Sequence, residues 1–438
     1  MPAIIGRRQP RGRRRRGVPR TRHGRTRART ALRTDPRAPD AEAHSVYRGS
    51  MAAASADSPH GRIVVVGGGV IGSATAYYLS TQLGLGKHVT LVEQAAIASA
   101  ASGKAAGFLA LDWNDHSALG PLSRKSFRLH QELATTFGPG TIQYRRLTGV
   151  WSASGALRSS AESKSVPSVA PGDIPTWLDR KAWTGSVVRA GNEDTAAQVH
   201  PRLLCEAMVA AAKAAGCTVV TGAVNGLTMS GPSDKGARCT AVLIDGEVLA
   251  CDTVVLCMGP WTERAREWLP PGTLPKVIGL RRSSVVLMPP APVPAEACLL
   301  HDETGEWSVY PRPDGTVYVS GLTEDVAECP LPDTVEGVDA QHSHCAAIAQ
   351  FATAVCPELR DSATVLQHEQ SCFMPFVRHG LPIIGAVPHC VGVFVGTGHG
   401  PWGILNGPAT GLALAELAAG QRCSQDVTAF DPARFRSS

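Results

Sequence analysis

No stretch of this chain approaches the ~18 consecutive apolar residues that a membrane span requires. The most apolar long segment, residues 391–419, is broken by repeated glycines and by Pro401 and Pro408, so no membrane-spanning helix is expected. The 12 cysteines form no C-x-x-C pair, and most stand among apolar neighbours. That pattern argues against a zinc site or a disulfide framework and for reduced, buried thiols in an intracellular compartment. The 14 histidines include no H-x-x-x-H or H-E-x-x-H spacing, so no metal site is expected. The nearest pair, His342 and His344, reads as a solvated loop or helix start. Lysine is missing from the first 50 residues, which instead hold 15 arginines against Asp35, Asp40 and Glu42. This head has no hydrophobic periodicity and cannot bury a core, so residues 1–60 are expected to be disordered. No apolar segment follows the charges, so a secretory signal is not expected. Three readings of the head stay open: a mitochondrial presequence, an arm for RNA or another acidic surface, or a natural start at Met51. The rest of the chain carries 28 basic against 34 acidic residues. A mildly acidic body of this kind argues against a nucleic-acid enzyme.

What is present is concentrated in residues 63–93. Ile63-Val64-Val65-Val66 reads as a strand buried on both faces, as in a parallel sheet. Gly67, Gly69 and Gly72 then fit G-x-G-x-x-G, followed by a helix of small residues. A second apolar run, Val89 to Val92, ends in Glu93, 21 residues beyond Gly72. Each part has a mechanical role. Gly67 permits a tight turn, Gly69 lets backbone approach a pyrophosphate, and Gly72 lets the helix pack on the strand. The helix N-terminus then faces phosphates, and Glu93 accepts from a ribose hydroxyl.

Further along, residues 98–109 are dominated by small side chains, with hydroxyls at Ser99 and Ser102 and glycines at 103 and 107. Such a segment suits a loop lying against a ligand. Residues 122–137 alternate basic and apolar at helical spacing, and residues 141–190 read as short strands and turns with a disordered-looking patch at 152–172. Val199-His200-Pro201-Arg202-Leu203 opens a helix expected to run through Ala215, closed by Gly216. Strands follow at 218–220 and 253–259, with a hairpin at 241–249. Another strand is expected at 277–288, and a hairpin around Pro313-Asp314-Gly315. A helix at 338–355, a strand at 391–395 and a helix at 407–420 complete the chain. This alternation of α/β and mixed β segments implies two domains threaded through each other rather than two in tandem.

Several of these motifs fall into one register. The chain resembles the FAD-dependent oxidoreductases of the D-amino acid oxidase, glycine oxidase and sarcosine oxidase family over roughly residues 62–422. The resemblance rests on the glycine fingerprint with Glu93, and on Ser99-x-x-Ser102-Gly103-x-x-x-Gly107. It also rests on Val254-Val255-Leu256-Cys257-Met258-Gly259-Pro260-Trp261 and on the second glycine cluster, Gly396 to Ile404. The stretch from Ser102 to Trp113 is similar to an uncharacterised branch. The resemblance implies an α/β protein, a Rossmann-like FAD-binding domain interleaved with a mixed β-sheet substrate domain. The expected FAD-binding segments are 62–124, 194–263 and 371–425, and the substrate segments 125–193 and 264–370.

The cofactor contacts implied are Gly67, Gly69, Val70, Ile71, Gly72, Glu93, Gln94, Ser99, Ser102, Gly103, Lys104, Val224, Gly259, Trp261, Gly398, His399, Gly400, Gly403 and Ile404. There is one nucleotide fingerprint, so electrons are expected from an organic substrate, a small amine or amino acid, rather than from NAD(P)H. The family's step is hydride transfer from a carbon bearing nitrogen to flavin N5, which leaves an imine. It demands positioning of the C–H bond more than a strong base. Oxygen or an electron carrier would then reoxidise the cofactor.

Lys104, His399 and Trp402 are the candidates for catalytic roles. Two family anchors for a substrate carboxylate are missing, because Met374 and Trp402 stand where cations are expected. Either Arg281, Arg282, Arg312 or Arg378 replaces them, with Arg312, Arg378 and Met374 the candidate substrate contacts, or the substrate is not a simple amino acid. Cys372 lies where sarcosine oxidases attach flavin covalently; a buried unreactive thiol is the competing reading. A flavoprotein with a regulatory or interaction role and weak turnover is the alternative function. The cytoplasm is the expected location, or the mitochondrion if the head is a presequence.

Overall fold

Ile63 to Val66 are buried on both faces because the strand runs through the middle of a sheet. The computed structural model describes residues 61–158, 173–231, 236–323 and 329–435. The chain divides into two units, Met1–Ala52 and Ala53–Ser438. Every element below belongs to the second, and the arginine-rich head lies outside the described residues. The central sheet has six strands in the order 383–386, 393–397, 253–256, 63–66, 89–93, 218–221. All neighbours are parallel except the edge pair 383–386 and 393–397.

Its two faces are covered differently. Ile63, Val65, Leu91 and Val255 point toward four helices: α1 (Val70–Tyr77), α2 (Gly120–Phe137), α3 (Pro201–Ala214) and α5 (Gly403–Ala418). Val64, Val66, Val254, Val393 and Val395 point the other way. There they pack on strands Val224–Met229, Ala237–Ile244 and Glu247–Ala250. The hairpin turn, Asp245-Gly246, holds both residues at positive φ, as a two-residue hairpin demands.

A second, seven-stranded sheet runs in the order 365–377, 277–288, 317–323, 305–311, 296–302, 149–157, 183–191. One face, carrying Val285, Leu287, Val309, Val317 and Val319, packs on α4 (His342–Val355). The opposite face carries Val286, Leu299, Tyr310 and Tyr318 and packs against Ala106, Phe108 and Trp113. A small sheet of 108–110, 196–198 and 145–146 lies between these elements in the chain.

Several expectations need correction. α5 begins at Gly403 rather than 407, because Pro408 lies inside the helix and not at its start. Strand 391–395 is interrupted at Gly392, φ 79°, and the long strand resumes as Val393–Thr397. Residues 152–157, read as part of a disordered patch, continue strand Gly149–Leu157; residues 159–172 lie outside the described residues. The 13-residue strand Val365–Val377 was not expected, and it pairs along the full length of 277–288. The seam between the halves therefore differs in two places. α2, placed from residue 125 with the substrate half, packs in the helix-covered core, and residues 371–377, placed with the cofactor half, belong to the seven-stranded sheet.

Candidate active site

The turn after the first strand is shaped by steric exclusion. Gly67 takes φ 102°, and a Cβ there would sit 2.4 Å from Cys257 O. A Cβ on Gly72 would lie 1.8 Å from Gly67 O, so helix α1 can follow the strand this closely only with hydrogen at that position. At Gly69 a Cβ would meet only the Ser102 side chain, so backbone there is open to approach. Glu93 ends the second strand and holds the turn together. Its Oε2 accepts from Gly68 N at 2.6 Å and its Oε1 from Ala95 N at 3.0 Å. A carboxylate has about four acceptor positions, so Glu93 keeps capacity for a ribose hydroxyl. Ser102 folds over the start of α1, where its Oγ accepts from Val70 N at 2.9 Å.

The second glycine cluster closes the same edge of the sheet. Strands 63–66 and 393–397 both flank 253–256, and the helices that follow them, α1 and α5, start at their C-terminal ends. Two helix N-termini thus converge where ligands of open parallel sheets bind. The helices cross closely because Gly407 and Gly411 face Val70 and Ala74; a Cβ on either glycine would come within 2.5 Å.

Pro408 cannot donate to Ile404 O, four residues earlier, and α2 repairs the gap. His130 Nε2 lies 2.9 Å from Ile404 O and 3.2 Å from Leu405 O. Ala409 N donates instead to Ser126 Oγ at 3.0 Å, and Ser123 Oγ donates to Asn406 Oδ1 at 2.9 Å. Carbonyl acceptors require a proton on His130 Nε2. Burial pushes its pKa down to about 4, which keeps the ring neutral.

His399, in the glycine cluster itself, is 4% exposed, and its Nε2 is 3.0 Å from Thr410 Oγ1. Its Nδ1 is buried without a hydrogen-bond partner. Desolvation lowers its pKa to about 3, so His399 is neutral and cannot act as a cationic acid near pH 7. Trp402 caps α5 and meets Trp113 edge-on at 6.2 Å between ring centroids. Trp113 in turn meets Phe108 at 5.1 Å, and Phe108 stacks on Tyr310 at 5.5 Å. This aromatic row joins the α5 loop to the face of the seven-stranded sheet.

That face is polar where it meets the 99–107 loop. Tyr318 Oη and Gln370 Nε2 donate to Lys104 O at 3.2 and 3.3 Å, and Gln370 also donates to Ser284 Oγ at 3.0 Å. Lys104 Nζ donates to Ser371 O at 3.0 Å. Desolvation lowers the Lys104 pKa, while Cys372 opposes the shift. Burial pushes the Cys372 thiol up to about 11, opposed by Lys104 and then Arg282. At ordinary pH it is therefore a protonated thiol and a poor nucleophile.

The remaining expected residues are spread along this edge or turned away from it. Ile71 lies in the first turn of α1, Ser99 and Gly103 in the loop above it, and Gly398 and Gly400 in the last glycine loop. Gly259 O accepts from Thr397 Oγ1 at 2.8 Å, which ties the middle motif to the last one. Val224 begins the strand after Gly222. Gln94 is exposed, and the Trp261 indole donates to Pro332 O at 2.8 Å. Among the arginines, Arg312 is 8% exposed; it donates to Ala105 O at 3.0 Å and lies 5.0 Å over the Tyr318 ring. This is a clamp on the loop. Arg281 turns to Cys329 Sγ at 2.9 Å, and Arg378 is exposed beyond the strand end. Met374 is half-buried and pairs with Leu280.

Tyr310, Tyr318, Ser284 and Gln370 had no assigned role in the sequence. They share one sheet face because they alternate along paired strands, a signal visible only once the register is known.

The chain thus combines a six-stranded sheet bearing a G-x-G-x-x-G turn with a seven-stranded mixed sheet. The sequence profile of the family described as FAD dependent oxidoreductase matches residues 62–417, and the chain belongs to that family. A provisionally named oxidoreductase of Schizosaccharomyces pombe is 30% identical over 396 residues, 84% of this chain and 97% of its own length. Glycine oxidase of Pseudomonas putida is 25% identical, across 85% of this chain and 98% of that protein. The crystal structure of glycine oxidase from Geobacillus kaustophilus superposes with a TM-score of 0.68 at 21% identity, covering 85% of this chain and 98% of the other. The fold is thus that of FAD-binding amino acid oxidases, and the family's cofactor is FAD.

The residues present fit that cofactor. Backbone is open to approach at Gly69, Glu93 has acceptor capacity to spare, and His399 Nδ1 is unpaired next to α5.

Proposed function

We propose that this chain oxidises a small amine or amino-acid-like compound at a carbon bearing nitrogen. The observation that carries the reading is the aromatic row Trp402, Trp113, Phe108, Tyr310, which runs from the start of α5 to the polar face of the seven-stranded sheet. Aromatic faces attract amines and ammonium groups while excluding water. Under this reading the segments around 62–124, 194–263 and 378–425 hold the cofactor, and the seven-stranded sheet holds the substrate.

FAD, when bound, would supply a two-electron acceptor for oxidation of a carbon bearing nitrogen. The protein's own contribution is placement. Gly67, Gly69 and Gly72 leave room for phosphates at the α1 N-terminus, with the Ile71 amide as a donor and Glu93 as the ribose acceptor. The N-terminal amides of α5, at Gly403 and Ile404, favour negative charge. Neutral His399, Trp402 and half-buried Lys104 border the reacting region. No buried carboxylate base is needed, since the step depends on orientation.

The test is anaerobic mixing of the purified yellow protein with a panel of secondary amines and D- and L-amino acids. Bleaching of the flavin absorbance by at least one member is the expected result. No bleaching across the panel would favour the reading of a flavoprotein with a regulatory role. The same screen, opened to air, distinguishes oxygen from a carrier as the acceptor.

A further inference from the structure

All twelve cysteines are free thiols, and two of them meet. Cys239 Sγ and Cys251 Sγ stand 4.0 Å apart in the core beneath the six-stranded sheet, at 0% and 4% exposure. No other pair of thiols among the described residues is in hydrogen-bonding contact. Cys239 lies on strand Ala237–Ile244, and Cys251 directly follows its antiparallel partner, Glu247–Ala250. The backbone holds them side by side, because Cys251 N donates to Thr240 O at 3.0 Å. The Cys251 thiol donates to the Cys239 sulfur, which favours a thiolate on Cys239 against burial and keeps the proton on Cys251. Strand 247–250 is the edge of its sheet, with Val248 61% exposed. A short edge strand opens locally at low cost, and opening admits a small oxidant to both sulfurs.

We propose that Cys239 and Cys251 form an oxidation site, at which hydrogen peroxide converts the two thiols into an intramolecular disulfide. The site does not depend on the amine chemistry proposed above. The Cys239 thiolate attacks one peroxide oxygen; an S–O bond forms as the O–O bond breaks, leaving a sulfenic acid and hydroxide. The Cys251 sulfur then attacks the sulfenic sulfur, and the oxygen leaves as water with the proton that Cys251 held. The hydroxide takes up the proton that Cys239 lost earlier. Two thiols are thus oxidised to one disulfide while one peroxide is reduced to two waters. The sulfurs must approach by about 2 Å to reach bonding distance, on the scale of a side-chain rotation. A thiol already in contact with the attacking thiolate traps the sulfenic acid before it oxidises further. Once formed, the bond ties strand 237–244 to the segment entering the central strand Thr253–Leu256, and the closed loop restricts the unfolded chain.

The experiment treats the FAD-loaded protein with graded hydrogen peroxide. Free thiols are blocked with iodoacetamide in denaturant, and those released by dithiothreitol are then labelled with N-ethylmaleimide. Tryptic cleavage after Arg238 and Arg264 leaves Cys239, Cys251 and Cys257 in one peptide, and fragmentation locates the labels. Equal labelling of Cys239 and Cys251, with none on Cys257, is the expected result. The oxidised protein should keep its flavin and melt at least about 2 °C above the reduced form. Cys239→Ala should leave Cys251 unlabelled, and Cys251→Ala should leave a sulfenic acid on Cys239 that dimedone captures; both should lose the Tm rise. Pairing of Cys239 with Cys390, whose strand adjoins residues 237–238, would overturn the assignment. So would labels that appear only after flavin release, or sulfinic acid on Cys239 in place of the disulfide. Full reduction of both thiols at peroxide levels that oxidise the partly exposed Cys423 would overturn the site without recourse to any variant.

Discussion

Glu93 accepts from the amides of Gly68 and Ala95, and so it organises the glycine turn before any ligand arrives. Removing it strands two donors beside a helix start. Glu93→Ala is expected to cost about 1–3 kcal/mol of stability and to lower the flavin-to-protein absorbance ratio that survives gel filtration. Retention of a full complement of FAD at unchanged stability would contradict both roles. Gly72→Ala is the harsher change, because the new methyl would lie 1.8 Å from Gly67 O. Backbone must move there, at a cost of roughly 3 kcal/mol, and the turn that receives phosphates moves with it. Colourless but soluble protein is the expected product, checked by denaturant unfolding with and without added FAD. Of these, the close packing at Gly72 was readable from spacing alone. The role given to Arg312 was not, since only the structure shows its guanidinium clamping Ala105 O over the Tyr318 ring.

Among the elements, α5 depends most on a neighbour. Its proline removes one internal hydrogen bond, and α2 supplies His130 and Ser126 to the groups left over. Read from sequence, Pro408 suggests the first turn of a helix, where proline is common. In the fold it lies inside α5 and is tolerated because of a partner 278 positions earlier. His130→Ala should destabilise the protein by about 2–4 kcal/mol, combining a lost buried side chain with an unpaired carbonyl. His130→Gln, which keeps a donor, should recover part of that in urea unfolding; equal losses for both would show that the hydrogen bond carries nothing. The close crossing of α1 and α5 through Gly407 and Gly411 has the same character. Both glycines were visible in the sequence, but not the helix they admit.

At the scale of the whole molecule, buried neutral histidines set the response to acid. His130 and His399 have folded pKa values lowered to about 4 and about 3, from an unfolded value near 6.5. His200 is also lowered to about 4, by desolvation first and then by the Arg312 charge. The unfolded chain therefore binds more protons between these limits. The stabilisation is full above pH 6.5 and is lost as pH falls toward 4. Each fully buried histidine contributes a loss of about 2 kcal/mol at pH 5. The Tm is thus expected to fall from pH 7 to pH 5, and His130→Gln should flatten the slope. A flat profile in the unmodified protein would contradict the buried neutral state.

Much of the architecture was legible because it depends on short-range rules. Four β-branched residues, three glycines and an acid at fixed spacing specify a strand, a tight turn and a carboxylate at the end of the next strand. The interleaving of two sheets was likewise readable from the order of α/β and mixed β segments. The substrate face was not. Tyr310, Tyr318, Ser284, Gln370, Arg282 and Lys104 come from five separate segments, and sheet register and one loop clamp bring them together. The sequence by itself determined the strand, glycine turn and helix at residues 63–77, because they are built from consecutive backbone. Which side chains line the polar face of the seven-stranded sheet was decided only by tertiary structure, because a one-residue shift in register would have turned its strand residues to the opposite face.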